Sequence, residues 1–320
     1  MARHVIGIDL GGTHMQLGLV NATGQIVARE RQLTHADECA DAVLASIASG
    51  VESLAKGQGM ATGDIEAIGI GAPGAIDLEG GVVLEAPNLR WSDFPLGRRL
   101  SERLDGRPVI VENDVNVAIL GEQRLGAGRG SDDVLGVWVG TGIGGGIIIG
   151  GRLHRGAFGT AGEIGQTILF PGGAMGHRVF EDVCSRKSTV DRIVELMHSN
   201  RQSSLHDLCD GDTDRIDIRM VAKAYASGDE LVKSLVDETA RFIGISIANV
   251  LSVLSLSRVV LGGGMTEALG DPFVNGVADA MRAFVFPSST ASKIEVRPTE
   301  LADNAGLLGA AMLALERADG

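Results

Sequence analysis

The chain has 320 residues, enough for two domains, and 44% of them are hydrophobic, which supports sizeable cores. Charged residues make up 22%, so extended disorder is not expected. The formal net charge of −13 argues against a nucleic-acid or acidic membrane partner, and the 3% aromatic content argues against a stacking surface for single-stranded nucleic acid.

The sequence also limits the compartment. Cys39, Cys184 and Cys209 are too irregularly spaced for a disulfide framework or a zinc ligand set, so we expect reduced thiols and a cytoplasmic protein. The N-terminus runs directly into a predicted strand at residue 4, and we expect no signal peptide. No uncharged apolar run reaches the roughly 18 residues that span a bilayer. The longest apolar run, 243–256, is interrupted by serine and asparagine and predicts a buried helix.

The first part of the chain predicts strands followed by alternating helices and strands. Short runs rich in β-branched residues end at glycine-containing turns, and an apolar repeat of helical spacing follows them. The predicted elements are strands at 4–9, 15–20 and 26–31, a helix at 37–56, strands at 65–71 and 109–112, and a helix that starts within 113–116.

The second part repeats this order, which predicts a duplicated α/β architecture. We expect a small N-terminal lobe of residues 1–116, joined by about 303–320, and a large C-terminal lobe of 117–302. The predicted elements are strands at 134–139, 145–149 and 152–154, helices at 180–199, 219–226 and 230–254, a strand at 258–261, a helix at 272–284, a strand at 292–296 and a helix at 304–316.

Two glycine-rich turns, about 130 residues apart, lie between predicted strands. The first is Asp-Leu-Gly-Gly-Thr at 9–13, and the second is Gly-Thr-Gly-Ile-Gly-Gly-Gly at 140–146. Such turns leave backbone N–H groups uncovered and let the chain approach an anion. One turn in each half predicts a polyphosphate clamp, with Asp9 placed to hold hydrated Mg²⁺. The alternative is two ordinary tight hairpins, which glycine also serves.

A polar junction, Glu112-Asn113-Asp114, lies between a predicted strand and a helix, where ligands collect in open α/β sheets. Asp114 is a candidate base that takes a proton from an alcohol while its oxygen attacks phosphorus. Asn113 is a candidate for holding neighbouring hydroxyls. The alternative is that Asn113 or Asp114 only caps the following helix, a contribution of about 1 kcal/mol.

Other candidates are less specific. A loop of small residues at 156–162 precedes Glu163 and Gln166, which could reach sugar-type hydroxyls or form a solvated acidic loop. Glu181 starts a helix, where a carboxylate is favoured electrostatically in any case. Asn88 is by default a turn residue. The glycines at 262–264 could pass under a nucleotide base or ribose, and a tight strand–helix turn explains them about as well.

Taken in order, these motifs resemble the ROK family of sugar kinases, in the actin-like ATPase superfamily. The resemblance covers essentially the whole chain and implies a duplicated actin-like ATPase (RNase H-like) fold, with two lobes and an interlobe cleft. It also implies a small-molecule sugar and a nucleotide as ligands, a homodimer and closure of the lobes around the sugar. The matching stretches are 8–13, 69–74, 87–89, 112–116, 140–146, 162–165 and 261–264.

The resemblance assigns roles to individual residues. The family transfers the γ-phosphate of ATP to a hexose hydroxyl, which makes Asp114 the catalytic base and Asp9 the residue that helps place Mg²⁺. Binding of the sugar falls to Gly74, Asn88, Asn113, Asp114, Glu163 and Glu181, and Gln166 is a further candidate whose contact with sugar is left open. Binding of the nucleotide falls to Asp9, Gly11, Gly12, Thr13, Thr141, Gly142, Gly262, Gly263 and Gly264.

The sequence departs from the family pattern in one important place. Family members typically read Glu-x-Gly-His followed by a cysteine cluster that binds structural zinc, whereas this chain has Gln166 and no cysteine in 167–180. We therefore predict no zinc, and we expect packing, by Phe170 and Pro171, to hold the loop. His14 also stands where lysine or asparagine is common. The first lobe begins at residue 4, without the helix-turn-helix of the DNA-binding branch, so we do not expect a repressor.

The functional hypothesis is an ATP- and Mg²⁺-dependent kinase that phosphorylates a hexose, with glucose at its 6-hydroxyl as the first candidate. Fructose, mannose, N-acetylmannosamine and N-acetylglucosamine remain open as substrates. A non-catalytic sugar sensor of the same fold is the second class of protein, and an actin-like filament protein is the third. The sequence leaves open the preferred phosphoryl donor, the dimer interface and whether Gln166 contacts sugar.

Overall fold

The computed structural model describes residues 3–318 and confirms the α/β class. The strands are β1 (His4–Leu10), β2 (His14–Asn21), β3 (Ile26–Leu33), β4 (Ile68–Ala72), β5 (Ala75–Asp77), β6 (Val82–Ala86), β7 (Trp91–Phe94), β8 (Val109–Asn113), β9 (Val134–Val139), β10 (Ile143–Ile149), β11 (Arg152–Leu153), β12 (Arg258–Gly262) and β13 (Glu295–Pro298). The helices are α1 (Ala40–Gly57), α2 (Leu96–Arg103), α3 (Asp114–Leu125), α4 (Phe180–Cys184), α5 (Arg186–His198), α6 (Leu205–Leu208), α7 (Ile218–Ala226), α8 (Glu230–Leu254), α9 (Gly264–Leu269), α10 (Asp271–Phe284) and α11 (Ala305–Ala318).

The chain divides into two compact units. The first runs to Asp132 and includes Gly146–Ala161 and the chain from Asp303 onward; the second comprises Asp133–Gly145 and Gly162–Ala302. The sequence-based boundary after residue 116 falls inside α3, and the first unit keeps that helix whole. Helix α11 also belongs to the first unit, because it packs against α3 and the strands β1 and β4.

The sheet topology repeats, as the sequence predicts. One five-stranded sheet has the order β3-β2-β1-β4-β8, and the other has the order β11-β10-β9-β12-β13. Each joins an antiparallel meander to two further parallel strands: β1 pairs in parallel with β4, and β4 with β8, while β9 pairs in parallel with β12, and β12 with β13. Parallel strands place their carboxyl ends on one edge, so residues after β1, β4 and β8 share an edge.

Several elements differ from the expectation. A three-stranded antiparallel sheet, β5-β6-β7, and the short helix α2 occupy 75–103, a stretch for which we predicted no strand or helix. The helix expected at 180–199 is broken at Ser185, whose extended backbone (ψ 158°) ends α4 and whose side chain caps α5. The strand expected at 292–296 begins at Glu295, after a 3₁₀ turn (Ser288–Lys293). Among residues 3–318, no helix combines the length and apolarity needed to cross a membrane.

Helix α11 packs unusually close to the first sheet. A Cβ atom at Gly7 of β1 would overlap the carbonyl oxygen of Leu307, and one at Gly69 of β4 would overlap that of Ala310. A Cβ at Gly309 would overlap the carbonyl oxygen of Val117 in α3. These contacts are with backbone atoms, which do not move aside as the end of a flexible side chain does. Glycine is therefore required at these three points, where α11 meets β1, β4 and α3.

We expect Gly69→Ala to lower the free energy of unfolding by about 3 kcal/mol, because the added methyl group must displace the backbone of α11. Gly57→Ala is the matched control, since nothing lies within 4 Å of a Cβ at that last residue of α1. Alanine there should leave stability unchanged or raise it slightly. Urea titration followed by circular dichroism measures both changes. Equal unfolding midpoints for the two variants would contradict the packing.

Candidate active site

Three strands of the first unit bring the candidate residues to one edge of the sheet. In the parallel register, Asp9 of β1 lies beside Gly71 of β4, and Ala72 lies beside Asn113 at the end of β8. Asp114 follows as the first residue of α3. Asp9, Asn113 and Asp114 therefore lie at the carboxyl edge of one sheet, as the strand-end positions of the sequence predict.

Asn113 provides the helix cap that the sequence left open between it and Asp114. Its Oδ1 accepts hydrogen bonds from the backbone N–H groups of Val115 (2.9 Å) and Asn116 (3.1 Å), and its Nδ2 donates to the carbonyl oxygen of Gly74 (3.1 Å). Oδ1 of Asp114 accepts from the N–H of Val115 at 2.8 Å. The cap is complete with Asn113, so α3 does not need Asp114 for that purpose.

The first residue of this junction, Glu112, is a buried carboxylate to which the sequence analysis gave no role. Glu112 is 1% exposed, and its Oε1 accepts from the backbone N–H of Asn113 and from Nδ2 of Asn116, both at 3.0 Å. Its Oε2 accepts from Nε of Arg155 at 2.6 Å. Three donors offset the cost of burying the charge. Glu112 thus holds the start of α3, and with it Asp114, in place.

The first glycine-rich turn is held by backbone contacts. The N–H of Gly11 donates to the carbonyl oxygen of His14 (3.1 Å), and the hydroxyl of Thr34 donates to the carbonyl oxygen of Gly11 (2.7 Å). A Cβ at Gly12 would lie 3.2 Å from Cβ of Asn88. Gly12, Thr13 and Asn88 line one surface cavity of about 480 Å³. The structure therefore brings a predicted sugar residue, Asn88, against the predicted phosphate turn.

Asp9 lies among other carboxylates. Loss of water around its side chain, followed by the charges of Asp114 and Asp303, raises its pKa to about 7. The first turn of α11 is packed on the same carboxylate, since a Cβ at Gly306 would lie 2.7 Å from its Cγ. Asp303 and Gly306 lie about 300 residues away in the sequence, and no local pattern identified them.

This group of side chains fits a hydrated divalent cation. Carboxylate oxygens suit Mg²⁺, and a nearby cation would relieve the repulsion that raises the pKa of Asp9. Within residues 3–318, no three His, Cys, Asp or Glu side chains are grouped closely enough to form a full metal cage. A cation bound here would therefore complete its coordination with water or with phosphate oxygens, which is how Mg²⁺ is commonly held.

In the second unit, the turn between β9 and β10 is held from two sides by residues of one short segment. The carboxylate of Glu181, in α4, accepts the backbone N–H of Ile143 at 2.6 Å and fills the space beside Gly142. The backbone N–H of Arg186, in α5, donates to the carbonyl oxygen of Gly140 (2.9 Å). Glu181, predicted only as a sugar residue, therefore also supports the predicted phosphate turn.

Glu163 and Glu181 influence each other electrostatically. Partial burial raises the pKa of Glu163, and the negative charge of Glu181 raises it further. Glu163 stands directly before a 3₁₀ turn, Ile164–Gln166, and its carbonyl oxygen accepts the N–H of Gln166 (3.2 Å). Gln166 is exposed. A pair of neighbouring carboxylates can accept hydrogen bonds from adjacent hydroxyls of a polyol.

A hairpin replaces the cysteine cluster that the resemblance led us to look for. Phe180 N–H donates to the carbonyl oxygen of Thr167 (2.8 Å), and Ile168 pairs with Val179 in an antiparallel bridge. Phe170 packs edge-on against Phe242 of α8, with ring centroids 5.2 Å apart. Phe170 thus makes the packing contact that we expected of it, whereas Pro171 is exposed. Backbone hydrogen bonds and one aromatic pair close this segment.

Local packing and backbone geometry explain the glycines at the end of β12 and directly after it. A Cβ at Gly262 would lie 2.5 Å from the indole of Trp138, and Gly263 has φ +87° with Val139 backbone atoms within 3 Å of its Cβ position. The hydroxyl of Thr266 donates to the carbonyl oxygen of Gly262 (3.0 Å), which fixes the start of α9. The tight strand–helix turn is therefore present, and it leaves Gly264 at the head of α9.

Comparison with known proteins identifies the fold and the family. The solved structure of a ROK family glucokinase from Streptomyces griseus, in complex with glucose and AMPPNP, superimposes with a TM-score of 0.83 at 33% identity and covers 98% of this chain and 99% of its own. The fold is therefore that of a sugar kinase of the actin-like ATPase superfamily. The ROK family model matches residues 5–317, and the chain belongs to the ROK family.

Two relatives show the range of that family. The glucokinase of Halalkalibacterium halodurans is 32% identical over 317 residues, which cover 97% of this chain and 94% of the relative. A putative xylose repressor from a Caldicellulosiruptor species is 31% identical over 315 residues. The match covers 95% of this chain and 76% of the repressor. The family thus contains both kinase and repressor names, and the residues of the site must decide between them.

The raised pKa of Asp9 predicts a pH dependence of stability. The folded state binds the Asp9 proton more tightly than the unfolded chain, whose pKa is near 3.8. The contribution of the Asp9 side chain to the free energy of unfolding is therefore fully present below about pH 4 and is lost as the pH rises toward about 7. We expect Asp9→Asn to remove this loss, so that the variant gains stability over the wild type at pH 8.

Urea unfolding of the ligand-free protein from pH 4 to pH 8 measures this difference. Glu52→Gln, which changes an exposed carboxylate on α1, is the control and should follow the wild-type profile. If the profiles of the wild type and Asp9→Asn stay parallel over this range, Asp9 does not titrate as described.

Proposed function

We propose that the chain is an ATP- and Mg²⁺-dependent hexokinase-type enzyme that transfers a phosphoryl group to a hexose, with glucose at its 6-hydroxyl as the substrate. The observation that carries the proposal is the junction of β8 and α3, where Asn113 caps the helix and Asp114 stands beside it at the strand edge that also carries Asp9. The glucokinase relatives support glucose in particular.

The residues divide the work of the reaction. Asp114 takes the proton from the sugar hydroxyl as that oxygen attacks phosphorus, and Glu112 holds the start of its helix. Asn88, Asn113, Gly74, Glu163, Gln166 and Glu181 bind sugar hydroxyls, and Gly11, Gly12, Thr13, Thr141 and Gly142 bind phosphates. Gly262, Gly263 and Gly264 approach the adenosine. When bound, Mg²⁺ neutralises charge on the phosphoryl oxygens, and Asp9 would hold it through water.

Retention of both carboxylates favours a kinase over a sugar sensor or a repressor of the same fold. A protein that only binds sugar has no chemical need for a base at Asp114, for Asp9 or for two phosphate turns. The second candidate is a sensor, and it is motivated by Gln166, which stands where relatives that bind zinc have histidine. Sugar binding without ATP consumption would favour the sensor.

We also propose a homodimer in the cytoplasm, in line with the family resemblance. The second unit exposes Val253 (81%), Phe284 (50%) and Phe286 (78%) at the ends of α8 and α10. The N–H of Phe286 donates to the hydroxyl of Ser252 (3.2 Å), which brings these ends together. A cluster of exposed large apolar side chains is the kind of surface that a second copy covers.

Coupled ADP release across hexoses and N-acetylhexosamines tests the proposed activity. We expect one sugar, glucose, to stimulate turnover, and Asp114→Asn to lower kcat by about 10²- to 10⁴-fold, because the variant lacks the general base. Calorimetry should show that the variant still binds glucose. Near-normal turnover in Asp114→Asn would reject the assignment of the base. If the wild type binds sugar without any sugar-stimulated ADP release, the sensor hypothesis replaces the kinase.

The hairpin at 167–180 generates a prediction about metal content. An amide is a poor substitute for imidazole as a zinc ligand, and this segment offers no thiolate. We expect purified protein to contain no stoichiometric zinc by plasma emission spectrometry. Turnover and thermal midpoint should be unchanged after treatment with EDTA and restoration of Mg²⁺. One zinc per chain, retained through gel filtration, would refute this prediction.

A further inference from the structure

Arg186 joins two elements that the proposed function assigns to the nucleotide. It is the first residue of α5, directly after Ser185, whose hydroxyl caps that helix by accepting the N–H of Ser188 (3.2 Å). The backbone N–H of Arg186 donates to the carbonyl oxygen of Gly140 at 2.9 Å. The start of α5 is thereby fixed to the second glycine-rich turn, and the backbone of Arg186 is held in place by these two hydrogen bonds.

The guanidinium of Arg186 reaches across the same turn. One terminal nitrogen, Nη2, donates to Oγ1 of Thr141 at 2.8 Å. The other, Nη1, lies 3.9 Å from the Cβ position of Gly264, at the head of α9. The side chain therefore lies between the predicted phosphate turn and the glycines predicted to face adenosine. A nucleotide that contacts both the turn and these glycines would have its phosphates beside this guanidinium.

Arg186 has no carboxylate partner within ion-pair distance among residues 3–318. The neighbouring cations of α5 do have partners: Lys187 pairs with Asp191 (2.5 Å) and Arg192 with Glu238 (2.6 Å). A guanidinium carries five N–H donors, of which the Thr141 contact uses one. In a chain with a net charge of −13, an arginine that is not neutralised by a carboxylate and lies beside a glycine-rich turn is suited to bind an anion.

We infer that Arg186 binds the non-transferred phosphates of the nucleotide, together with the hydroxyl of Thr141. Because Thr141 accepts the arginine N–H, its own hydroxyl proton is available for a phosphate oxygen. The two glycine-rich turns contain no lysine or arginine, so Arg186 supplies positive charge that their backbone amides lack. This inference rests on the proposed function, because it assumes that the second turn receives a nucleotide.

Calorimetric binding of ADP and of adenosine separates a phosphate contact from a contact with the base or ribose. We expect Arg186→Gln to weaken ADP binding at least ten-fold, the range of a lost hydrogen bond to a charged group. Adenosine binding should stay within two-fold of the wild type. Arg186→Lys, which keeps the charge and loses the fork of donors, should fall between the two. Lys187→Gln is the matched control, because it removes one positive charge at the next residue. It should leave the affinities for ADP and for adenosine unchanged.

The kinetic counterpart is a higher KM for ATP in Arg186→Gln, with KM for the sugar unchanged. Thermal unfolding of each variant shows whether the turn is intact, and Arg186→Lys provides the comparison if Arg186→Gln does not fold. Wild-type ADP affinity in Arg186→Gln, or equal losses for ADP and adenosine, would overturn the inference. A wild type that binds ADP and phosphorylates no sugar would overturn the proposed function and leave the role of Arg186 standing. If the wild type binds no ADP, both the proposed function and the role of Arg186 are rejected.

Discussion

The close packing of α11 against the first sheet is the constraint on which the strand-end part of the candidate site depends. The backbone of the helix meets Gly7 and Gly69 so closely that a methyl group would overlap its carbonyl oxygens. The same packing places Gly306 against the Asp9 carboxylate. It also brings Asp303 near enough to raise the pKa of Asp9. Packing at the end of the chain thus contributes, together with Asp114, to the raised pKa of a strand-end residue near the N-terminus.

The strands and their duplicated order could be predicted because each is a local pattern of apolar residues that ends at a turn. The choice between Asn113 and Asp114 as the cap could not, since both residue types cap helices and they are adjacent. The backbone decides it: Asn113 is extended (ψ 145°), and α3 begins at Asp114. The elements at 75–103 lacked a clear period because their strands are short and half exposed.

The residues to which sequence analysis gave no role act through contacts between distant parts of the chain. Glu112 binds Arg155 of a loop 43 residues further on, and Arg186 binds Thr141 across 45 residues. An isolated arginine carries no spacing signal that separates a surface charge from a ligand. The signals that were present were weak ones: an acidic residue at the end of an apolar strand and a cation directly after a helix-capping serine.

The segment from Glu181 to Arg186 gives the second glycine-rich turn two sides of opposite charge. Glu181 holds the N–H of Ile143, while Arg186 holds the carbonyl oxygen of Gly140 and the hydroxyl of Thr141. A phosphate is repelled by the carboxylate and attracted by the guanidinium, whereas a sugar hydroxyl can donate to the carboxylate. The break at Ser185 is what allows one short segment to present both groups. The opposite charges on the two sides of the turn therefore follow from a helix that ends and restarts at Ser185. This charge pattern favours the division that we propose, with phosphates on the Arg186 side and hydroxyls on the Glu181 side.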